Sequence, residues 1–143
     1  LERAMAKHEE AHAIYVGLYG EDHESVAGAL GNMATVLQTQ GKGAEAAAML
    51  EKVLDIKRRT HGSDHDHVVT SLLNLGRAYG KQGMLEDALT RLEEGLGIVR
   101  RIHPEKTSLE GRFLKNIGSV YSRQSRLEDA LAWLKKAHRM YRK

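Results

Sequence analysis

The stretch GSDHDHVVTSLLNLGRAYGKQGMLEDALTRLEEGLGIVRRIH, residues 62–103, decides the fold because it is one copy of an internal repeat. Residues 20–61 and 104–143 align with it at shifts of 42 residues without a gap. We call the three copies repeats 1, 2 and 3 in chain order. Residues shared by all three include Leu30, Leu72 and Leu114; Asn32, Asn74 and Asn116; Gln40, Gln82 and Gln124; Ala46, Ala88 and Ala130; Leu50, Leu92 and Leu134. Repetition at this period predicts stacked copies of one supersecondary unit.

Each repeat has the pattern of two helices. In repeat 2 an apolar residue recurs every three or four positions, at Leu72, Leu75, Ala78 and Tyr79. Such a stripe predicts one buried helix face. The segment KQGM, residues 81–84, interrupts it, and Gly83 suits a left-handed turn. A second stripe begins at Leu85. Residues 1–19 align with a second helix, so the sequence predicts an all-α chain of seven helices in a single domain, 1–143.

Small residues recur inside the predicted helices. Gly76 and Gly118 align with Ala34 in the first helix of each repeat. Glycine inside a helix costs about 1 kcal/mol relative to alanine. Its recurrence predicts close approach of another helix at this position.

The loops between repeats carry helix-start signals. Thr107 followed by Glu110 predicts a capping box at the start of repeat 3. In repeat 2 the sequence predicts that Asp64 or Asp66 caps the first helix. Cations end the second helices, and we expect Arg59 and Arg101 to complement the helix dipole rather than to bind nucleic acid.

These repeats resemble the tetratricopeptide repeat family, whose pattern asks for a large residue, Leu-Gly, Tyr, a turn glycine and two small residues. Repeat 2 supplies Leu72, Leu75, Gly76, Tyr79, Gly83, Ala88 and Gly95. Repeat 3 supplies Leu114, Ile117, Gly118, Tyr121, Ser125, Ala130 and Ala137. The resemblance implies a right-handed α-solenoid of antiparallel helix pairs. Its concave face, lined by the first helix of each pair, would hold peptides.

The repeat length points to a subgroup. The usual period of the family is about 34 residues. The 42-residue form, the loops Gly20-Glu21-Asp22-His23 and Gly62-Ser63-Asp64-His65, and the asparagines Asn74 and Asn116 resemble kinesin light chain. The third loop departs from that pattern with Pro104-Glu105-Lys106-Thr107.

Composition limits the classes of function. The formal net charge is +3, with 22 basic and 19 acidic residues interleaved, which is too mild to favour a nucleic-acid partner. No segment has the length and apolarity of a membrane span. Cysteine is absent, so we expect a reducing, cytoplasmic setting. The chain does not begin with methionine, and we expect it to be a fragment.

One short motif suggests a metal site. His8-Glu9-Glu10-Ala11-His12 fits the H-E-x-x-H pattern of zinc peptidases. The repeat register, however, aligns His8 with Leu50 and Leu92, and His12 with Leu54 and Leu96. A catalytic zinc site also needs a third ligand and an open position. We therefore expect partly exposed packing histidines.

A second histidine-rich segment is the loop HGSDHDH, residues 61–67. We interpret its imidazoles and carboxylates as family loop and capping residues. A weak adventitious metal site is the alternative. No phosphate loop, serine elbow or carboxylate pair accompanies them, so the sequence predicts no enzyme, no metal and no cofactor.

The candidate peptide site is the stripe opposite the packing face of the first helices. Residues three and four apart share a helix face. The twelve candidate residues are Asn32, Thr35 and Gln38 in repeat 1; Leu73, Asn74, Arg77 and Lys81 in repeat 2; Arg112, Lys115, Asn116, Ser119 and Arg123 in repeat 3. The asparagines would bond either a peptide backbone or their own helices. The cations predict a protein or peptide partner with acidic residues. We expect Leu73 to supply a small apolar contact, or seat, for that peptide.

A structural role is the alternative. The last helix carries Trp133, Leu134, Met140 and Tyr141. In a solenoid a terminal apolar face needs a cover. The sequence therefore also predicts end-to-end association of copies of the chain.

Overall fold

The computed structural model describes residues 2–124 and 127–141, with side chains omitted for 127–130 and 141. The described residues form seven α-helices and no strand, so the all-α prediction with seven helices is confirmed. In chain order they are α1 Glu2–Tyr19, α2 Glu24–Thr39, α3 Gly43–His61, α4 Asp66–Lys81, α5 Leu85–Ile102, α6 Ser108–Arg123 and α7 Leu127–Tyr141. None of these described helices is long and apolar enough to cross a membrane.

The helices group into two compact units. The N-terminal unit, Leu1–Ser63, contains α1, α2 and α3. The C-terminal unit, Asp64–Lys143, contains α4 to α7. Within each unit every helix packs on the next one along the chain, and α4 also contacts α6. The single domain over 1–143 stays a prediction.

The apolar stripes read from the sequence form the core of each unit. In the N-terminal unit Val26, Leu30 and Met33 of α2 pack with Ile56 of α3. In the C-terminal unit Leu72, Leu75, Leu92, Phe113 and Leu114 are almost completely buried. Burial of such side chains stabilises a fold by roughly 1.5–3 kcal/mol each.

Glycines allow close packing between helices. A Cβ added at Gly76 would lie 2.6 Å from Leu92 Cγ, and one added at Gly118 would lie 3.1 Å from Leu134 Cγ. The expectation of a neighbouring helix at this repeated position is therefore confirmed. A third close approach, at Gly95, places the Phe113 ring where a Cβ would stand.

Helix starts are capped, but not always by the expected residue. Thr107 accepts a hydrogen bond from the Glu110 amide at 3.2 Å, which confirms the N-cap half of the predicted capping box, whereas the Glu110 side chain accepts from Arg100. The prediction that Asp64 or Asp66 caps α4 is wrong, because the N-cap is His65, whose Nδ1 accepts from the His67 amide. His23 caps α2 in the same way.

The loop aspartates are held by the arginines that end the second helices. Arg59 donates to Asp22 at 2.8 Å, and Arg101 donates to Asp64 at 2.8 Å, each across 37 residues. We call these two ion pairs the clasps. Each clasp joins the start of a first helix to the end of its own second helix. The arginines thus bind carboxylates as well as ending helices.

In repeat 1 a further carboxylate, Glu24, also joins the start of α2 to the end of α3. Glu24 lies 2.6 Å from Lys57 Nζ and 2.6 Å from His61 Nε2. Hydrogen bonds from Lys57 and His61 lower the pKa of Glu24 to about 2. In repeat 2, Asp66 pairs with His103 at 2.9 Å in the aligned position.

Candidate functional site

The predicted peptide-binding stripe is mostly at the surface of α4 and α6. Asn74, Arg77 and Lys81 of α4 are exposed. On α6, Arg112, Lys115, Ser119 and Arg123 are exposed and Asn116 is half-buried. The spacing that predicted these residues holds because both segments are regular helices with their apolar faces in the core.

Leu73 does not share this exposure. Only 4% of its surface is accessible. An apolar contact with a peptide needs accessible surface to bury. In this conformation Leu73 therefore offers little as the proposed seat between the polar residues.

Arg123 has a structural role at the end of α4. Its Nη1 donates to the carbonyl oxygen of Gly80, in the last turn of that helix. This carbonyl also accepts from the Gly83 amide at 3.1 Å, so the guanidinium adds a second hydrogen bond at the C-terminal end of the helix, where a cation is favourable. The bond also holds α6 beside α4. Arg123 is therefore partly committed to the scaffold, and Arg77, Lys81, Arg112 and Lys115 are the cations left for a ligand.

The asparagines differ in their bonding. Asn116 Nδ2 donates to the Arg112 carbonyl of its own helix at 2.8 Å. Asn74, at the aligned position of α4, is exposed and has no such bond among the described residues. The intrahelical alternative therefore applies to Asn116, while Asn74 keeps its donor and acceptor accessible.

The aligned stripe of α2 is polar and uncharged. Asn32, Thr35 and Gln38 are all exposed. Thr35 Oγ1 donates to the Gly31 carbonyl at 3.2 Å, which is a local bond of an exposed helix face. This face supplies hydrogen-bonding groups without a net charge.

Charge on the α4 and α6 stripe is of one sign. Arg77, Lys81, Arg112 and Lys115 form no ion pair with a described carboxylate. Exposed unpaired cations attract an anionic partner from a distance of about one Debye length, roughly 8 Å at physiological salt.

Two family models match the sequence. Both describe the tetratricopeptide repeat, one over residues 25–101 and the other over residues 114–143. The chain belongs to the tetratricopeptide-repeat family. No curated protein sequence matches it.

Solved structures show the same tetratricopeptide-repeat fold. BtubC (BKLC) from P. vanneervenii superimposes with a TM-score of 0.88 at 22% identity, covering 98% of this chain and 56% of that one. A kinesin light chain-like protein of Podosopora anserina with nearly identical TPR-like repeats gives 0.85 at 22% identity, covering 98% and 66%. The N-terminal domain of stress-induced protein-1 from C. elegans gives 0.65 at 14% identity, covering 82% and 85%.

The fold is thus an all-α tetratricopeptide-repeat solenoid, as the sequence predicted, and it is similar to the fold of a kinesin light chain-like repeat protein. The chain spans 56% and 66% of the first two chains that it resembles. Tetratricopeptide-repeat proteins are generally non-catalytic scaffolds for protein–protein interaction, and this membership supports such a role here. A cytoplasmic location stays a prediction.

The histidines of the H-E-x-x-H motif lie where the tetratricopeptide register puts them. His8 and His12 are both half-buried on α1. His12 lines a cavity of about 240 Å³ together with Val26, Leu30 and Ile56. Their position matches the partly exposed packing role expected from the sequence.

The terminal helix exposes one of the predicted apolar residues, Leu134, which is 39% exposed, but not all of them. Met140 is 7% exposed, so its assignment to an uncovered face is wrong. Trp133 is half-buried, with its ring centroid 6.2 Å from that of Tyr121. Among the described side chains of α7, the exposed large apolar ones are Leu134 and Leu131, and the sequence did not predict Leu131. The side chain of Tyr141 lies outside the described residues.

A cationic pocket in the C-terminal unit was missed by the sequence reasoning. It has a volume of about 180 Å³. Its lining residues are Arg100, Lys106, Glu110, Leu114, Lys136, Arg139 and Met140. The available signal was charge reversal between aligned repeats: Lys106 stands where repeats 1 and 2 have Asp22 and Asp64.

Proposed function

We propose that this chain is a non-enzymatic interaction scaffold that binds an extended acidic peptide across α4 and α6. The observation that carries the proposal is a set of four exposed cations on the two helices that form no ion pair with a described carboxylate: Arg77, Lys81, Arg112 and Lys115. Asn74 offers an accessible amide beside them, which suits the backbone of an extended peptide.

The expected affinity is modest and depends on salt. Exposed ion pairs contribute about 0–1 kcal/mol each. Because four such contacts and one or two amide contacts are individually weak, we expect a dissociation constant no tighter than about 1 μM. Electrostatic attraction acts mainly on the association rate. We therefore expect added salt to slow association more than it speeds dissociation.

The test compares three peptide libraries that differ only in charge: acidic, neutral and basic. Acidic peptides should bind the wild-type chain best, and Arg77→Glu with Lys115→Glu should weaken them at least about tenfold. The matched control is Arg3→Glu with Lys7→Glu, which makes the same charge change at two exposed residues of α1. Equal binding of basic and acidic peptides, or equal loss in the control variant, contradicts the proposal.

A second candidate function is self-association through α7. Leu131 is 51% exposed and Leu134 is 39% exposed. Together with Lys135, His138 and Arg139 they line an open cavity of about 450 Å³. An apolar face of this kind favours contact with a second protein surface.

Sedimentation at increasing concentration tests this candidate. Association through α7 predicts a concentration-dependent rise in mass that Leu131→Lys abolishes. Ile14→Lys on α1 is the matched control, because Ile14 is equally exposed, at 52%. A wild-type chain that stays monomeric at millimolar concentration excludes this candidate and leaves peptide binding untouched.

A further inference from the structure

The cationic pocket of the C-terminal unit combines four basic residues with one acid. Arg100 ends α5, Lys106 lies in the following loop, and Lys136 and Arg139 lie on α7. Glu110 is the acid. Among the described residues, Lys106, Lys136 and Arg139 pair with no carboxylate. The pocket therefore carries an uncompensated positive charge.

The one acid fixes a basic neighbour. Glu110 is buried, and its Oε2 accepts a hydrogen bond from Arg100 Nε at 3.0 Å. This charge-assisted bond offsets the burial of the carboxylate and holds the guanidinium at the pocket rim. Leu114 and Met140, both buried, supply an apolar floor. Cations beside an apolar floor interact more strongly with an anion than cations in open water.

A homologous cavity in the N-terminal unit shows that this charge is not a property of the fold. That cavity is lined by Val26, Leu30, Lys52, Asp55 and Ile56, which align with Glu110, Leu114, Lys136, Arg139 and Met140 two repeats later. Its charged lining residues also include Glu21 and Arg59, so acids and bases balance. The C-terminal cavity is cationic because Arg139 stands where the N-terminal cavity has Asp55, and because Arg100 and Lys106 line it without an aligned lining residue in the N-terminal cavity.

The pocket is separate from the proposed peptide site. At 100° per residue, Glu110 and Leu114 lie on one face of α6, and Arg112, Lys115 and Ser119 lie on the opposite face. A ligand in the pocket would therefore leave the peptide stripe accessible.

Size and charge together select the ligand. The volume of about 180 Å³ is below the roughly 300–1,000 Å³ of sites for drug-sized molecules, so a single small group fits better than a nucleotide. A carboxylate brings one charge and two oxygens. A phosphate group brings about −1.5 to −2 and three strong acceptor oxygens, which matches several cationic donors better.

We propose that this pocket binds a phosphate group, either free phosphate or phosphate esterified to a protein side chain. Lys106, Lys136 and Arg139 donate to its oxygens, and Arg100, held by Glu110, closes one side of the pocket. The helix start at Ser108 adds the favourable end of the α6 dipole.

Inorganic phosphate is the first probe, titrated at constant ionic strength into the 143-residue chain. Backbone amide shifts of Lys106 and Thr107 give the binding curve. The single tryptophan, Trp133, is a second reporter because Lys136 Nζ lies 5.1 Å from its ring centroid. We expect saturation with a dissociation constant on the order of 1 mM.

Two variants restore the residue that another repeat carries, so both should fold. Lys106→Asp copies Asp22 and Asp64, and Arg139→Asp copies Asp55. Each should weaken phosphate binding at least about tenfold, the size expected for loss of a charged hydrogen bond. Lys81→Asp is the matched control, with the same charge change on the peptide stripe. It should keep phosphate affinity within about twofold while weakening acidic peptides.

Two short peptides distinguish the sources of phosphate. One is acetyl-Gly-phosphoserine-Gly-amide, and the other has glutamate in place of phosphoserine. Saturable binding of the phosphopeptide assigns the pocket to modified proteins, and binding of inorganic phosphate alone assigns it to the free ion. Shifts that rise linearly without saturation, equal effects of Lys106→Asp and Lys81→Asp, or equal binding of the glutamate peptide would overturn the proposal.

Discussion

The two compact units pack the same pair of aligned helices with different tightness. In the C-terminal unit α5 meets α6 through Gly95, where the ring of Phe113 occupies the space of a Cβ. In the N-terminal unit the aligned positions on α1 and α2 hold Ala11 and Ala29. Seven residues of α5 are buried because α5 packs on both α4 and α6, whereas α1 packs only on α2 among the described helices and has no buried residue. One register therefore gives two different contacts, depending on how side-chain volume is distributed across them.

The aligned repeat sequences therefore determine where two helices meet, but the side chains at the contact determine how much it stabilises the fold. A large ring against a glycine concentrates burial at one point. The aligned pair Ala11 and Ala29 has two small side chains and therefore buries less apolar surface at that point. We expect the α5–α6 contact to resist denaturant more than the α1–α2 contact.

The largest effect on stability is expected from Phe113→Ala. Phe113 is completely buried. Its removal should lower the free energy of unfolding by about 3–5 kcal/mol, the usual range for a buried aromatic residue. In the N-terminal unit Ala29→Gly should cost only about 1 kcal/mol. Urea denaturation followed by circular dichroism measures both, and similar losses would show that the two contacts are equivalent.

A smaller effect should come from adding one methyl group at glycines of the two units. At Gly95 the new Cβ would lie 2.4 Å from Phe113 Cε1, so Gly95→Ala should destabilise by about 1–3 kcal/mol. At Gly28 nothing lies within 4 Å. Gly28→Ala should therefore stabilise by about 0.5–1 kcal/mol through helix propensity. Melting temperatures that move in the same direction would contradict this packing account.

The smallest effect concerns acid stability of the N-terminal unit. Glu24 has a pKa near 2 in the folded chain, against an ordinary value of 4.5. Its contribution is therefore full above pH 4.5 and is lost as the pH falls towards 2. The Glu24 side chain is 47% exposed, so solvent screening limits this contribution to about 1 kcal/mol or less.

Glu24→Gln should remove that part of the pH dependence. Unfolding free energies measured from pH 5 to pH 2 should fall less steeply in the variant than in the wild type. Glu21→Gln is the control, because Glu21 is exposed and forms no ion pair with a described residue. A slope that Glu24→Gln leaves unchanged would rule out this role for the Lys57 and His61 contacts.

The fold was predictable because burial follows periodicity in each repeat. The stripe through Leu72 and Leu75 lies in the core, and the turn at Gly83 has the expected left-handed φ of 79°. The surface stripe through Arg77 and Lys81 follows from the same geometry. The helix period determines which residues share a face. These features can therefore be predicted without knowing which other helices pack nearby.

Other features depend on which neighbouring residues cover each helix face. The helix period of the sequence does not determine those neighbours. Leu73 and Met140 were assigned to open surfaces and are buried. Capping also escaped prediction, because Asp64 is held by Arg101 and the adjacent His65 takes its place at the helix start. Such choices depend on partners 37 residues away.

The clasps affect how whole repeats can be added to or removed from a chain of this kind. Asp22 with Arg59, and Asp64 with Arg101, both lie within a single helix pair. Copying or deleting a block of 42 residues therefore moves both charges together and leaves neither without its partner. In repeat 3 the acid position is Lys106 and the aligned arginine position is Lys143. Repeat 3 therefore lacks the acid–base pair of a clasp. Its charges at these two positions are not constrained by each other.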